Sequence, residues 1–171
     1  MINLQLFAEA VHGKKLVYLF RVLADAASEA GTVLAFTTEN SISISKDADT
    51  VETKDGVIRT PGAAEIEISA TALLAKGDTM YDKLKAAMLE DKIVEVWEAN
   101  LEDATEGDKF KGTYYQAYLT EFEKTSSAED YVECTCTFAV NGSGVDGDVT
   151  VTAEQQEVAA YVFKDTTKTG A

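Results

Sequence analysis

Polar and apolar residues alternate strictly at 41–45 and again at 65–69, placing Ile42 and Ile44, then Ile66 and Ile68, on one side of the chain and serine or glutamate on the other. Such period-two alternation marks strands with one buried face. Between them, 46–64 is acidic, poor in apolar residues and far longer than the about 2–5 residues that a hairpin turn needs. It reads as a long loop, disordered or reaching something outside the domain.

Residues 15–23 have no polar side: Leu16, Tyr18, Phe20 and Val22 lie on one face and Val17, Leu19 and Leu23 on the other, as in a strand covered on both sides. A small-residue link, 24–31, leads to a short strand at 32–37. Residues 78–91 are expected to be helical, with Asp78 as cap and Met80, Leu84, Ala87 and Met88 recurring on one face at spacings of 3 and 4. Strand chemistry returns at 92–99, followed by a charged loop through 111. Segments 112–124 and 131–140 form a hairpin joined by 125–130. In the second, Val132, Cys134, Cys136, Phe138 and Val140 oppose Tyr131, Glu133, Thr135 and Thr137. The glycines of 141–144 suggest a flexible break before a strand at 149–152 and an ambiguous apolar stretch at 158–163. The sum is a mainly β domain of about seven or eight strands with one inserted helix, a β-sandwich or partly closed barrel. It spans 14–163, between an N-terminal arm at 1–13 and a mobile tail at 164–171.

The chain of 171 residues is 46% hydrophobic, enough for one core. No run of about 18 apolar residues suggests a membrane span. The apolar start lacks a basic region and a cleavage site, which argues against a secretion signal and for synthesis in a cytoplasm. Net charge is −15, with 30 acidic against 15 basic residues spread along the chain. That disfavours adhesion to nucleic-acid backbones, which needs clustered Lys and Arg. An acidic surface would also let DNA pass without sticking, although from composition alone acidity that serves only solubility is the favoured reading.

Candidate chemistry is sparse. Cys134 and Cys136 are two apart on a strand, too far along it for a disulfide, and too few for a structural zinc site. The sole histidine, His12, lies in the arm, and no phosphate loop, zinc helix or nucleophile elbow is present. Asp47, Asp49, Glu52 and Asp55 crowd one segment, but Val51 and Glu52 break the calcium-loop pattern. The pairs Glu65/Glu67 and Glu121/Glu123 have the spacing of a strand's wet side, and Tyr114, Tyr118 and Phe122 read as core or interface. No catalytic, metal or cofactor site is expected.

The segments 36–47, 54–62, 75–78 (Ala75-Lys76-Gly77-Asp78), 96–99 (Val96-Trp97-Glu98-Ala99), 112–116 and 138–144, in that succession, resemble the major tail proteins of long non-contractile-tailed phages and prophages of Gram-positive bacteria. The likeness runs from about residue 13 to residue 163, and the opening at 3–8 is similar to the start of many phage structural proteins. The resemblance implies a non-enzymatic tail tube subunit, a β-sandwich with a flanking helix. By the same resemblance it would assemble into six-subunit rings that stack into a hollow conduit for DNA ejection. Strands of all six subunits would close an inner barrel, and the loop at 46–64 would stack on the adjacent ring. Leu4, Leu6 and Phe7 of the arm, with Asp47, Asp49, Glu52, Asp55, Val57, Ile58 and Arg59 of the loop, are then the candidate inter-ring or inter-subunit contacts. Glu121, Glu123, Glu133, Thr135 and Thr137 are the candidate lumen residues. The implied partners are the chain itself, tape measure, tail terminator and distal tail proteins, with DNA passing unbound and no membrane. Its place would be the virion tail, after synthesis in the host cytoplasm.

Closing a ring would also remove the exposed strand edges that are a liability in a monomer. Two alternatives remain: an Ig-like binding or adhesion module, which would stay monomeric at high concentration, and an acidic-site hydrolase, which would need a deep pocket.

Overall fold

The computed structural model describes residues 9–160. Six strands, β1 (Leu16–Val22), β2 (Thr37–Thr53), β3 (Gly56–Leu73), β4 (Ile93–Glu106), β5 (Lys109–Thr125) and β6 (Glu133–Thr150), make one antiparallel sheet in the order β1-β4-β5-β6-β3-β2. Helix α1 (Met80–Leu89) links β3 to β4, and α2 (Ala153–Ala160) follows β6. The expected mainly β class holds, with six long strands in place of seven or eight shorter ones.

The sheet is rolled. Phe20 of β1 and Phe138 of β6 stack with ring centroids 5.3 Å apart, although β4 and β5 lie between their strands. Three strand spacings in a flat sheet come to about 14 Å, so β1 must curl over β6. Inside the roll lie Ile68, Val94, Val96, Cys134 and Cys136, all fully buried. Helix α1 closes it with Met80, Tyr81, Leu84 and Ala87. On the outer face, Val17, Leu19 and Ala99 form a second cluster with Phe110, Val149 and Val151. β1 is therefore covered on both faces, as its lack of alternation predicts.

Local chemistry sets the ends of α1. The Asp78 carboxylate accepts a hydrogen bond from the Met80 amide at 2.8 Å, the expected cap. Asp91 takes the left-handed conformation (φ +52°) where glycine is usual, and the Lys92 amide donates to the Ala87 carbonyl at 2.8 Å. Phe36, just before β2, is also left-handed (φ +53°), which costs a bulky residue about 1–2 kcal/mol.

Several loop expectations are corrected. Residues 46–64 are not a loop: β2 and β3 stay paired through them, from Lys46–Ala64 to Thr53–Gly56, around the two-residue turn Lys54-Asp55. The Thr53 hydroxyl donates to the Gly56 carbonyl at 2.7 Å, and Gly56 supplies φ +133°. With both faces in solvent, neither face has to be apolar. Alternation is lost although Thr, Val and Ile keep their preference for strands. The charged stretch after Ala99 is likewise strand, a β4–β5 hairpin turning at Gly107 and Asp108. The glycines at 142 and 144 lie inside β6 rather than in a break. Of the short strand at 32–37, only a bridge between Thr32 and Phe20 forms, while Thr37 opens β2. α2 takes up the start of the ambiguous stretch at 158–163. Its remaining residues, most of the N-terminal arm and the tail at 164–171 lie outside the described residues.

Candidate assembly surfaces

A glycine bulge in β6 creates the most exposed feature of the fold. Tyr114 pairs with Val145 and Gln116 with Asn141, so β6 carries two extra residues there. Gly142 and Gly144 absorb them at φ +72° and +76°. A Cβ on Gly144 would lie 2.5 Å from the Tyr115 ring, so the ring occupies the space a side chain would need. The bulge bends β6 away. β6 pairs with β3 only from Glu67–Ala139 to Leu73–Glu133, and beyond Glu67 the β2–β3 hairpin has no other strand neighbour among the described residues. The ten or so residues from there to the turn reach on the order of 30 Å. All of 46–64 is exposed.

This ribbon carries every described residue assigned to the contact set. Val51 faces Ile58, Glu52 faces Val57, Thr50 faces Arg59 and Asp49 faces Thr60 across the two strands, with Asp55 in the turn and Asp47 at the register shift. Val57 and Ile58 are 62% and 56% exposed, which no core explains. Leu4, Leu6 and Phe7 lie outside the described residues.

The second surface runs across four strands on the face opposite the core. Strand register aligns Ser41, Ser69, Thr137 and Glu121 in one row and Glu39, Thr71, Thr135 and Glu123 in the next. Glu65, Glu67 and Glu133 extend the same face, which holds no Lys or Arg between β2 and β5. The Thr71 and Thr135 hydroxyls are hydrogen-bonded at 3.1 Å, and Thr137 donates to Glu121 at 3.3 Å. Of the five lumen candidates, Glu121, Glu123 and Glu133 are exposed and Thr135 is half-buried. Thr137 is buried at 9% exposure, its hydroxyl taken up by Glu121. Sequence reading missed Glu39, Glu65 and Glu67 as members of this face. Their alternation was visible, but the register that puts them beside β6 was not.

Further along that face, Glu95 is held by Arg21 at 2.5 Å and by the Tyr114 hydroxyl at 2.8 Å, with Gln116 donating to Tyr114 at 2.9 Å. The Arg21 guanidinium also lies 5.0 Å from the centre of the Trp97 ring. Both oxygens of this buried carboxylate are satisfied, which suits a structural tie between β1, β4 and β5. Burial pushes the Cys136 thiol up to about 12 and raises that of Cys134, so both stay protonated and inert at neutral pH. The His12 ring nitrogen Nδ1 accepts a 3.4 Å bond from the Lys14 amide. Among the described residues no three His, Cys, Asp or Glu side chains converge as a metal site would require.

Comparison with known proteins bears on these surfaces. Residues 10–146 match the phage tail tube protein family. The chain is 31% identical over 164 residues to a tail protein of Staphylococcus phage phiMR25, covering 91% of this chain and 82% of that protein. It is 24% identical over 145 residues to the tail tube protein gp17.1* of Bacillus phage SPP1, covering 85% of this chain and 54% of that protein. Its fold matches the subunit in the solved SPP1 tail tube with a TM-score of 0.71 at 20% identity, over 95% of each chain. It also matches the tail of a gene transfer agent particle, refined with C6 symmetry, at 0.61 and 14% identity, over 84% of this chain and 100% of that one. With the matched region running from before β1 to within the last few residues of β6, the chain belongs to the phage tail tube protein family.

Proposed function

We propose that this chain builds the wall of a virion tail tube, six copies closing into a ring and rings stacking through the β2–β3 ribbon into a conduit for DNA. The observation that carries this reading is the four-strand face of hydroxyls and glutamates without a basic side chain. A channel wall in contact with DNA must repel phosphates rather than hold them, and fixed negative charge on a smooth, hydrogen-bonded surface does so. Among the described residues the outer edge of β2 has no partner over its whole length. Pairing it with a neighbouring copy would satisfy its backbone groups and leave no open edge in the ring.

On this reading the work of the protein is assembly rather than catalysis. Its partners are further copies of itself and the proteins that start, measure and cap a tail. No helix among the described residues is long and apolar enough to cross a membrane. Six copies at −15 each carry about −90 per ring, so ring formation should ease as salt screens charges more than about 8 Å apart. Negative-stain microscopy of the purified protein across concentration and salt is the direct test. Rings or tubes are expected, and a protein that stays monomeric at high concentration and high salt would overturn the proposal.

A further inference from the structure

The end of the β2–β3 hairpin opposite its tip has a surface that the fold leaves unexplained. The Leu73 amide donates to the Phe36 carbonyl at 3.1 Å and the Leu74 amide to the Val132 carbonyl at 2.8 Å. Phe36, Leu74 and Tyr131 are therefore gathered within about two strand spacings, roughly 10 Å. Phe36 is 66% exposed and Tyr131 82% exposed. Phe36 holds its ring outward from a left-handed backbone that a bulky residue adopts only under strain. Strain on an aromatic left about two-thirds exposed points to a contact made elsewhere.

Beside this patch is a cleft of about 330 Å³, shared through Leu74, between the start of α1 and the end of β5. Lys76, Lys85 and Lys124 line it, and none of the three has an ion-pair partner among the described residues. Asp78 and Asp82 also line it; one oxygen of Asp78 caps α1 and the other is buried without a hydrogen-bond partner, so the lining carries three ammonium groups against two carboxylates. Tyr81 lines it too, its buried hydroxyl without a hydrogen-bond partner. A cleft with three free ammonium groups and a spare hydroxyl, next to exposed aromatic surface, suits an apolar segment carrying carboxylates. The other end of the same hairpin is such a segment: Val51, Val57 and Ile58 stand exposed with Glu52 and Asp55 among them, and its Lys54 and Arg59 match the two carboxylates of the cleft.

We infer that the ribbon tip of one copy docks on the Phe36–Leu74–Tyr131 patch of the next, with Glu52 and Asp55 directed to its lysine cleft. The two surfaces lie at opposite ends of one hairpin, so a translation along its axis superimposes tip on base. Such a contact is head-to-tail and does not close, which yields an open stack. The assignment rests on the proposed role of the ribbon between rings and names its receptor.

The test uses the full chain. Phe36→Gly removes the ring and relieves the left-handed strain, so thermal stability should not fall. The concentration needed for tubes should rise at least tenfold while single rings persist. Ile58→Cys combined with Leu74→Cys should give, on treating assembled tubes with a mild two-electron thiol oxidant, a ladder of disulfide-linked copies, since Cys134 and Cys136 are buried. Lys85→Glu with Lys124→Glu should weaken stacking, and Glu52→Lys with Asp55→Lys should restore it in part. Wild-type assembly by Phe36→Gly together with tubes that give no ladder would overturn the assignment. Should Phe36→Gly fold poorly, the ladder alone decides. If a chain lacking 46–64 still forms tubes, the role of the ribbon itself fails. If that chain forms rings only, yet no ladder appears, the ribbon stands and this receptor does not.

Discussion

Gly112 and Gly147 face each other across β5 and β6, yet the same substitution at each should have opposite effects. A Cβ on Gly112 would sit 2.0 Å from the Glu98 carbonyl oxygen and 2.7 Å from a Val149 methyl. The first neighbour is backbone in β4, so relief requires β4 and β5 to part by more than 1 Å, given an ordinary contact of about 3.4 Å. Overpacking of this kind costs about 1–3 kcal/mol and sometimes more. At Gly147 nothing lies within 4 Å of the added Cβ, and the backbone is not left-handed. Alanine there should stabilise by about 0.4–1 kcal/mol through the unfolded chain. Urea unfolding of the two variants against wild type, followed by tryptophan fluorescence, measures the difference directly. For a domain of this size each kcal/mol moves Tm by roughly 2–4 °C, so the variants should melt well apart. Equal stabilities, or a Gly147→Ala variant as damaged as Gly112→Ala, would refute the claim that β4 presses on β5 at this one position.

Other outcomes follow from features already described. Replacing 46–64 with a two-residue Asn-Gly turn removes no buried side chain, so circular dichroism melts should show a folded subunit within about 1 kcal/mol of wild type, while tube formation is lost. Glu121→Lys, Glu123→Lys and Glu133→Lys together should make assembled tubes retain short duplex DNA in a sedimentation assay that wild-type tubes fail. Equal retention would remove these residues from the lumen. Cys136 is protonated up to about 12 in the fold, whereas an unfolded thiol ionises near about 8.5. Between those values the unfolded state binds fewer protons, so the contribution of this thiol is intact below about 8.5 and falls as pH rises towards 12. Burial raises the Tyr18 and Tyr81 hydroxyls as well, and they add to the same alkaline loss, which urea titrations at pH 8 and 10.5 would register. Leu84→Ala empties a fully buried site where α1 meets the sheet and should cost about 2–5 kcal/mol in the same assay.

What could be read from the chain depended on whether a residue faced a core. β1, with two buried faces, and α1, with Leu84 and Ala87 inward, left clear patterns, as did Cys134, Cys136 and Phe138 opposite Glu133 and Thr135. The ribbon at 46–64 and the β4–β5 hairpin past Ala99 touch no core, so nothing constrained their polarity, and both resembled loops. Gly142 and Gly144 resembled a hinge because a bulge and a break need the same backbone freedom. The acidic face was half legible: each strand showed its polar side, but the alignment of Ser41, Ser69, Thr137 and Glu121 is a property of pairing between distant segments. No local pattern records it.

The bulge in β6 also fixes where the molecule is compliant. Up to Glu67 the hairpin is held by a third strand, and past it the ribbon is a cantilever anchored at one end. A two-stranded ribbon resists bending far less than a rolled six-stranded sheet with a filled interior. In a stack joined through such ribbons, curvature imposed on the whole would be taken up between the layers. The bore of each layer would keep its shape while the filament flexes.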